Sequence, residues 1–182
     1  MRFATRTVLA LVAALSLAAL APSHARAQAA RGVLARSVIR DSTLRAFLPQ
    51  FERAHDRFIN GDARQWRQIA SRAPDATIMG GWGGFERGGR QVAGRYDWAA
   101  SRFRESGART RVEYLSAEVS GDLAYTVSIE RSRVRLADAD TTATLALRVT
   151  HVFRRENGAW RLVHRHADPL IERTGPAAMP SR

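Results

Sequence analysis

The chain has 182 residues and a formal net charge of +12, and it contains neither cysteine nor lysine, so every basic side chain in that count is an arginine. The lack of cysteine excludes disulfides and thiolate chemistry, which makes an oxidising compartment acceptable. The arginines are spread over all predicted elements instead of being grouped with aromatic residues. This spread favours a solvated basic surface over nucleic-acid binding.

Residues 1–27 have the pattern of a secretory signal peptide. Arg2 and Arg6 precede an apolar run from Val8 to Ala21, and Ala25-Arg26-Ala27 matches a small-x-small cleavage site. The run is too short to span a bilayer comfortably and no second long run follows. We therefore predict a periplasmic or secreted protein with no membrane association after cleavage. The chain divides into a signal peptide at 1–27, a flexible lead-in at 28–40, a folded domain at 41–168 and a disordered tail at 169–182.

The first half of the folded domain shows helical periodicity. Asp41 and Ser42 offer N-caps for an amphipathic helix that ends at Asn60-Gly61-Asp62. Shorter helices are predicted around Trp66 and Tyr96. The apolar positions of the first helix follow the i, i+3, i+4, i+7 rule and are Leu44, Phe47, Leu48, Phe51, Ala54, Phe58 and Ile59.

A glycine-rich segment and a series of strands complete the domain. GGWGGFERGG, from Gly80 to Gly89, lacks the lysine and the spacing of phosphate-binding loops, so we interpret it as a tight hairpin or lip that presents Trp82 and Phe85. From Thr110 onward, long segments separated by short turns predict an antiparallel meander. Helices followed by such a sheet define an α+β fold with the helices on one face of the sheet.

The last two predicted strands, Leu145 to Asp168, combine apolar and titratable residues. Glu156-Asn157-Gly158 supplies the turn between them, since Asn and Gly tolerate positive φ. Strict alternation puts one set of residues on a single face, which predicts the wall of a pocket. That set is Leu145, Leu147, Val149, His151 and Phe153 before the turn and Trp160, Leu162, His164 and His166 after it.

Three segments resemble the nuclear transport factor 2-like superfamily, in particular its SnoaL-like and ketosteroid-isomerase-like branch. FINGDARQWRQI (58–69) is similar to the family's helix–helix junction, and APDATIMGGWGG (73–84) is similar to its entry into the first strand. RVTHVFRRENGAWRLVHRHAD (148–168) resembles the terminal hairpin, especially that of the calcium/calmodulin-dependent kinase II association domain. The resemblance implies a cone-shaped half-barrel, with a curved antiparallel sheet wrapped around N-terminal helices, a pocket at the open end and, in many members, a dimer formed through the convex sheet face.

The residues that work in ketosteroid isomerases are replaced in this chain. The resemblance puts Gly80 where those enzymes have the general base, Ala54 where they have the oxyanion-hole tyrosine, and His151 where they have the assisting aspartic acid. Ketosteroid isomerisation by that mechanism is therefore not expected.

Histidines are the candidate acid–base groups, because their ordinary pKa of about 6.5 permits proton exchange near neutrality. We predict that His55 on the first helix shares one cavity with the three histidines of the hairpin. The predicted catalytic residues are His151 and His164 as base and acid, with Tyr125 or Asp56 as a hydrogen-bonding partner. The predicted ligand-binding residues are His55, Trp82, Phe85, Arg131 and His166.

Other interpretations of these residues stay open. The histidines are also explained as structural polar groups paired across strands, or as a metal site of His151, His164 and His166. No acidic residue on that face would orient such a site, so the leading hypothesis includes no metal and no cofactor. Arg131, with the arginines that follow it at 133 and 135, forms either an anion-attracting pocket mouth or a solvated strand end.

Two classes of function fit the sequence. The first is an exported pocket protein for a small, mostly apolar molecule, with histidine acid–base catalysis of a dehydration, isomerisation or cyclisation. The second is a non-catalytic association module that dimerises or docks a partner through its sheet. Both include a homodimer, and neither includes a nucleic-acid partner.

Overall fold

The computed structural model describes residues 38–172, so the predicted signal peptide, most of the lead-in and most of the tail lie outside the described residues. Within the described range, no helix is long and apolar enough to cross a membrane. The elements are α1 (Ser42–Phe58), α2 (Arg64–Ile69), β1 (Thr77–Met79), β2 (Phe85–Arg87), α3 (Gly89–Ala100), β3 (Phe103–Arg104), β4 (Arg111–Ser120), β5 (Leu123–Leu136), β6 (Thr142–Glu156) and β7 (Ala159–Pro169).

Helix α1 begins at the cap that the sequence predicts. Oδ1 of Asp41 accepts hydrogen bonds from the backbone N–H groups of Thr43 and Leu44, each at 2.8 Å, which satisfies two donors that the first helical turn leaves without partners. The buried side of the helix carries Leu44, Leu48, Phe51, Ala54 and His55.

The strands form one sheet that curls through 228° into a half-barrel, which confirms the predicted α+β architecture. The strand order is β2-β1-β7-β6-β5-β3, and β4 also pairs with β5. The pairing of β1 with β7 is parallel, while the other pairs are antiparallel. The sheet is therefore mixed. This follows from the path of the chain, because α3 and the whole meander separate β1 from β7, whereas tight turns join the later strands.

Helix α1 packs against the concave side of the sheet, which we call the inner face; the opposite side is the outer face. The ring of Phe51 lies 5.3 Å from Phe153, 4.8 Å from His151 and 5.0 Å from Trp66, measured between ring centroids. These aromatic contacts join α1, α2 and β6 into one core.

A β-bulge in β7 changes which residues of this strand reach the inner face. Phe153 pairs with Leu162 and the next pair is Val152 with His164, so Val163 is an additional residue on β7. Such an insertion reverses the alternation beyond it. The inward residues after the bulge are Arg165, 7% exposed, and Ala167, 3% exposed. The prediction that His164 and His166 share the face of His151 is therefore wrong, because it assumes strict alternation through the whole strand.

Strand β5 turns its polar side inward. Ala124, Thr126, Ser128, Glu130, Ser132 and Val134 are buried. Tyr125 and Arg131 belong to the alternate set, so they lie on the outer face. Several of these buried residues are small and polar. Larger apolar side chains at the same positions would leave less room for the buried polar groups of α1 and β7.

Candidate functional site

A cavity of about 260 Å³ lies between the C-terminal end of α1, helix α3 and the inner face of the sheet. Its apolar wall includes Phe58, Ile59, Ile78, Ala99, Phe103 and Leu147. Its buried polar wall, which we call the floor, consists of His55, Tyr96, Glu130 and Arg165. An apolar cavity with a few convergent polar groups is typical of a small-molecule site.

A buried ion pair is at the centre of the floor. Nη2 of Arg165 donates to Oε2 of Glu130 at 2.8 Å, and Nη1 donates to Oε1 at 3.2 Å. Burial alone would raise the pKa of Glu130, but Arg165 and the two neighbouring histidines outweigh burial and lower this pKa to about 2. Both partners are therefore charged at neutral pH, and together they add no net charge to the floor.

Two histidines flank Glu130 without forming ion pairs with it. Nε2 of His55 lies 3.8 Å from one carboxylate oxygen, and Nε2 of His151 lies 3.8 Å from the other. Burial lowers the pKa of His55 to about 4, although Glu130 opposes this shift. Burial and the charge of Arg165 also lower the pKa of His151 well below its ordinary value. Both imidazoles are consequently neutral at neutral pH.

The tautomer of His151 follows from its neighbours. Nη1 of Arg165 donates to Nε2 of His151 at 2.6 Å, and because a guanidinium has no acceptor, Nε2 must present its lone pair. The ring proton is then on Nδ1, which faces Oγ1 of Thr126 at 3.4 Å. His151 is thus committed to holding Arg165 and has no free basic nitrogen.

His55 differs from His151 in two respects. It lines the cavity, and its buried Nδ1 has no hydrogen-bond partner among the described residues. A buried imidazole nitrogen without a partner is unfavourable unless water or a ligand provides one. Of the two histidines beside Glu130, His55 is therefore the one that lines the cavity and keeps a ring nitrogen unpaired within residues 38–172.

Tyr96 supplies a hydroxyl group to the same floor. It is 2% exposed, and burial raises its pKa to about 12, so it keeps its proton at neutral pH. At that pH the floor combines an unprotonated base, His55, with a protonated donor, Tyr96.

An arginine and a tryptophan form the mouth of the cavity. Arg95 on α3 donates from Nη2 to the carbonyl oxygen of Gly83 at 2.7 Å, and its Cζ atom lies 4.5 Å from the ring centroid of Trp98. Trp82 packs edge-on against Trp98, with 5.7 Å between ring centroids, and contacts Phe103 at 5.5 Å. These contacts fix the glycine-rich turn against α3, which agrees with the predicted lip. Trp82 is still 49% exposed.

The structure brings together only some of the residues predicted for the site. His55 and Trp82 line the cavity, and His151 lies behind it, in contact with Arg165. Five predicted site residues lie elsewhere. Phe85 is 70% exposed, and His164 and His166 are on the outer face. Arg131 pairs with Glu113 at 3.0 Å, and Tyr125 contacts Ser116 at 3.2 Å. Asp56, the alternative partner, accepts from the backbone N–H of Thr110 at 2.8 Å.

The hypothesis of a metal bound by His151, His164 and His166 is not compatible with this geometry. His151 pairs with Arg165, while Val152, on the opposite face, pairs with His164. In residues 38–172 no group of three or more histidine, cysteine, aspartate or glutamate side chains is arranged to hold a metal ion.

Sequence reasoning missed Tyr96, Glu130 and Arg165. A signal for Glu130 was present, because the turn between β5 and β6 sets a register that pairs Thr126 with His151. Once His151 is placed on the inner face, the same register brings Thr126, and with it Glu130, to that face. The sequence contains no comparable signal for Arg165, because this residue faces inward only as a result of the bulge in β7.

The fold is an α+β half-barrel that encloses a cavity with a polar floor. The family model for the SnoaL-like domain matches residues 49–172, and the chain belongs to this family, as the sequence resemblance predicts. No curated protein sequence matches the chain.

Solved structures of low sequence identity share the fold. A nuclear transport factor 2-like superfamily protein from Salmonella enterica serovar Typhimurium is 19% identical, covers 72% of this chain and 90% of its own, and has a TM-score of 0.60. A provisionally assigned calcium/calmodulin dependent protein kinase II association domain from Xanthomonas campestris gives 12% identity, 74% and 93% coverage and a TM-score of 0.60. A provisionally assigned dehydratase of the NTF2-like family from Streptomyces avermitilis is 17% identical, covers 71% of this chain and 94% of its own, and has a TM-score of 0.57.

Proposed function

We propose that this protein binds a small, mostly apolar molecule in the cavity and performs acid–base chemistry on it, of the dehydration, isomerisation or cyclisation type. The observation that carries the proposal is a buried base, His55, at the floor of an apolar cavity, whose Nδ1 has no hydrogen-bond partner in the part of the chain that the structure describes. The name of the Streptomyces avermitilis relative, a provisionally assigned dehydratase, supports this class of reaction.

The charges of the floor determine the kind of ligand. Glu130 and Arg165 neutralise each other, and the imidazoles are uncharged. Arg95 at the mouth pairs with Glu86 at 3.5 Å. A charged group buried at the floor would therefore have no compensating charge there, so an uncharged ligand is favoured. A carbonyl or hydroxyl oxygen would pair with the hydroxyl of Tyr96, while the apolar wall holds the rest of the molecule.

The roles of the residues follow from their protonation states. His55 accepts a proton from the carbon α to a carbonyl group of the ligand, and Tyr96 donates a hydrogen bond to the carbonyl oxygen as the negative charge of the enolate develops on it. Glu130, Arg165 and His151 hold the floor in place. These assignments replace the predicted pair of His151 and His164, whose side chains lie on opposite sides of the sheet.

Exchange of carbon-bound protons tests this chemistry without knowledge of the natural substrate. We expect the protein to accelerate the exchange of the methyl protons of 4-fluoroacetophenone in D₂O, followed by NMR. His55→Gln should reduce the protein-dependent rate by about 100-fold or more, the usual contribution of a general base. Tyr125→Phe on the outer face is the matched control and should leave the rate unchanged. Equal rates for the wild type and His55→Gln would contradict the assignment of His55 as the base.

The pattern of residues 1–27 supports a further part of the proposal, that the protein is exported and acts in the periplasm or the medium. The N-terminal sequence of the protein recovered from an expressing cell tests this directly, since a mature chain should begin at Gln28.

A second candidate function is the association module. Leu115, Leu123 and Tyr125 are 54%, 51% and 37% exposed on β4 and β5, and apolar surface of this kind favours contact with another chain. The provisionally assigned association domain from Xanthomonas campestris supports the same candidate. We propose a homodimer formed through the outer face, which sedimentation velocity would distinguish from a monomer.

A further inference from the structure

Three side chains that can bind a metal lie on the outer face of the sheet, on the opposite side from the cavity floor. His164 and His166 lie two residues apart on β7, with their ring centroids separated by 6.5 Å. Both reach the outer face because the bulge at Val163 reverses the alternation of the strand. Met79 on β1 is in parallel register with His166 and is 41% exposed.

The register fixes how these residues stand relative to one another. Thr77 pairs with His164 and Met79 pairs with His166, and adjacent strands lie about 4.8 Å apart. Ile78 between them is 4% exposed and belongs to the inner face, so Thr77 and Met79 both belong to the outer face. Met79 and His166 are therefore opposite each other on the outer face of the sheet.

Thr77 orients one of the two imidazoles. Its Oγ1 atom lies 2.8 Å from Nδ1 of His164. With the ring proton on Nδ1, His164 donates to Thr77 and presents the lone pair of Nε2 to the outside, which is the arrangement that supports histidine ligands of metals.

We propose that His164, His166 and Met79 form a surface binding site for monovalent copper. Two imidazole nitrogens and one thioether sulfur are a soft donor set that suits Cu(I), whereas thioethers are poor ligands for Zn²⁺. The chain contains no cysteine, so no thiolate of the same protein competes for the ion. This proposal is independent of the chemistry assigned to the cavity.

Competition between the untagged protein and the Cu(I) chelator bicinchoninate tests the site. We expect one Cu(I) per chain. Met79→Leu conserves volume at an exposed position, and it should weaken Cu(I) binding by about tenfold or more, because loss of a direct ligand should cost at least as much as loss of a supporting group. Combined replacement of His164 and His166 by alanine should abolish binding. Met179→Leu is the matched methionine control and should have no effect.

Selectivity provides the second readout. Binding of Zn²⁺ to the histidine pair, measured by calorimetry, should be the same for the wild type and Met79→Leu. The proposal is overturned if Met79→Leu leaves Cu(I) affinity unchanged, if Met179→Leu weakens it equally, or if Cu(I) remains bound after both histidines are replaced. Circular dichroism of each variant shows whether the fold is retained.

Discussion

Replacement of Glu130 by glutamine is expected to lower the free energy of unfolding by about 3–5 kcal/mol, because it leaves the charge of Arg165 buried without a counterion. Glu130 is 2% exposed and Arg165 is 7% exposed, so water cannot readily replace the lost carboxylate. Urea unfolding at pH 7 measures this effect.

An exposed ion pair between β4 and β5 supplies the control. Glu113→Gln breaks the pair of Glu113 with Arg131, whose side chains are 46% and 42% exposed; such a surface pair contributes less than about 1 kcal/mol. The double variant Glu130→Leu, Arg165→Met removes both buried charges and should regain most of the lost stability. A loss for Glu130→Gln as small as that for Glu113→Gln would mean that Arg165 is hydrated, which would contradict the buried floor.

Acidification from pH 7 toward pH 4 is expected to destabilise the protein, with about 3 kcal/mol from His55 alone. The pKa of His55 is about 4 in the folded protein and 6.5 in the absence of the fold. Between pH 6.5 and pH 4 the imidazole of His55 binds a proton in the unfolded chain but not in the folded chain, so the free energy of unfolding falls as the pH falls. His151, whose pKa is also lowered, adds a loss of the same sign.

Glu130 acts in the same direction at lower pH. Its pKa is lowered to about 2 from 4.5, so the stabilisation is present above pH 4.5 and is lost as the pH falls toward 2. Urea unfolding at intervals between pH 8 and pH 4.5 measures the histidine part separately, and His55→Gln should flatten the slope. A stability that stays constant between pH 7 and pH 5 in the wild type would show that neither imidazole is buried in neutral form.

Periodicity was sufficient to predict much of the fold. The structure contains three features that the sequence predicts: the apolar stripe of α1 with its Asp41 cap, the turn at Asn157-Gly158, and the inward row of β6 that ends at Phe153. Each depends on local chemistry: a helical repeat, a residue that tolerates positive φ, or strict alternation on one strand. A chain in which helices precede an antiparallel meander can pack in only a few α+β architectures.

The floor of the cavity was harder to predict because it depends on two departures from local patterns. Val163 shifts β7 by one residue, which brings Arg165 inward and turns His164 outward. On β5 the prediction assigns Tyr125 and Arg131 to the pocket, yet the alternate set of residues, which contains Glu130, is the buried one. The buried charges compensate each other across strands, and such long-range pairing leaves no trace in the periodicity of a single strand.

Binding of 4-fluoroacetophenone, followed by fluorine NMR, tests the central claim that the cavity takes a small uncharged ligand. Ala99 on α3 lines the cavity, whereas Ala93 on the same helix does not. We predict that the wild type and Ala93→Phe bind the ketone, while Ala99→Phe, which fills the cavity, does not. Equal binding by Ala99→Phe and the wild type would place the ligand elsewhere and would contradict the account.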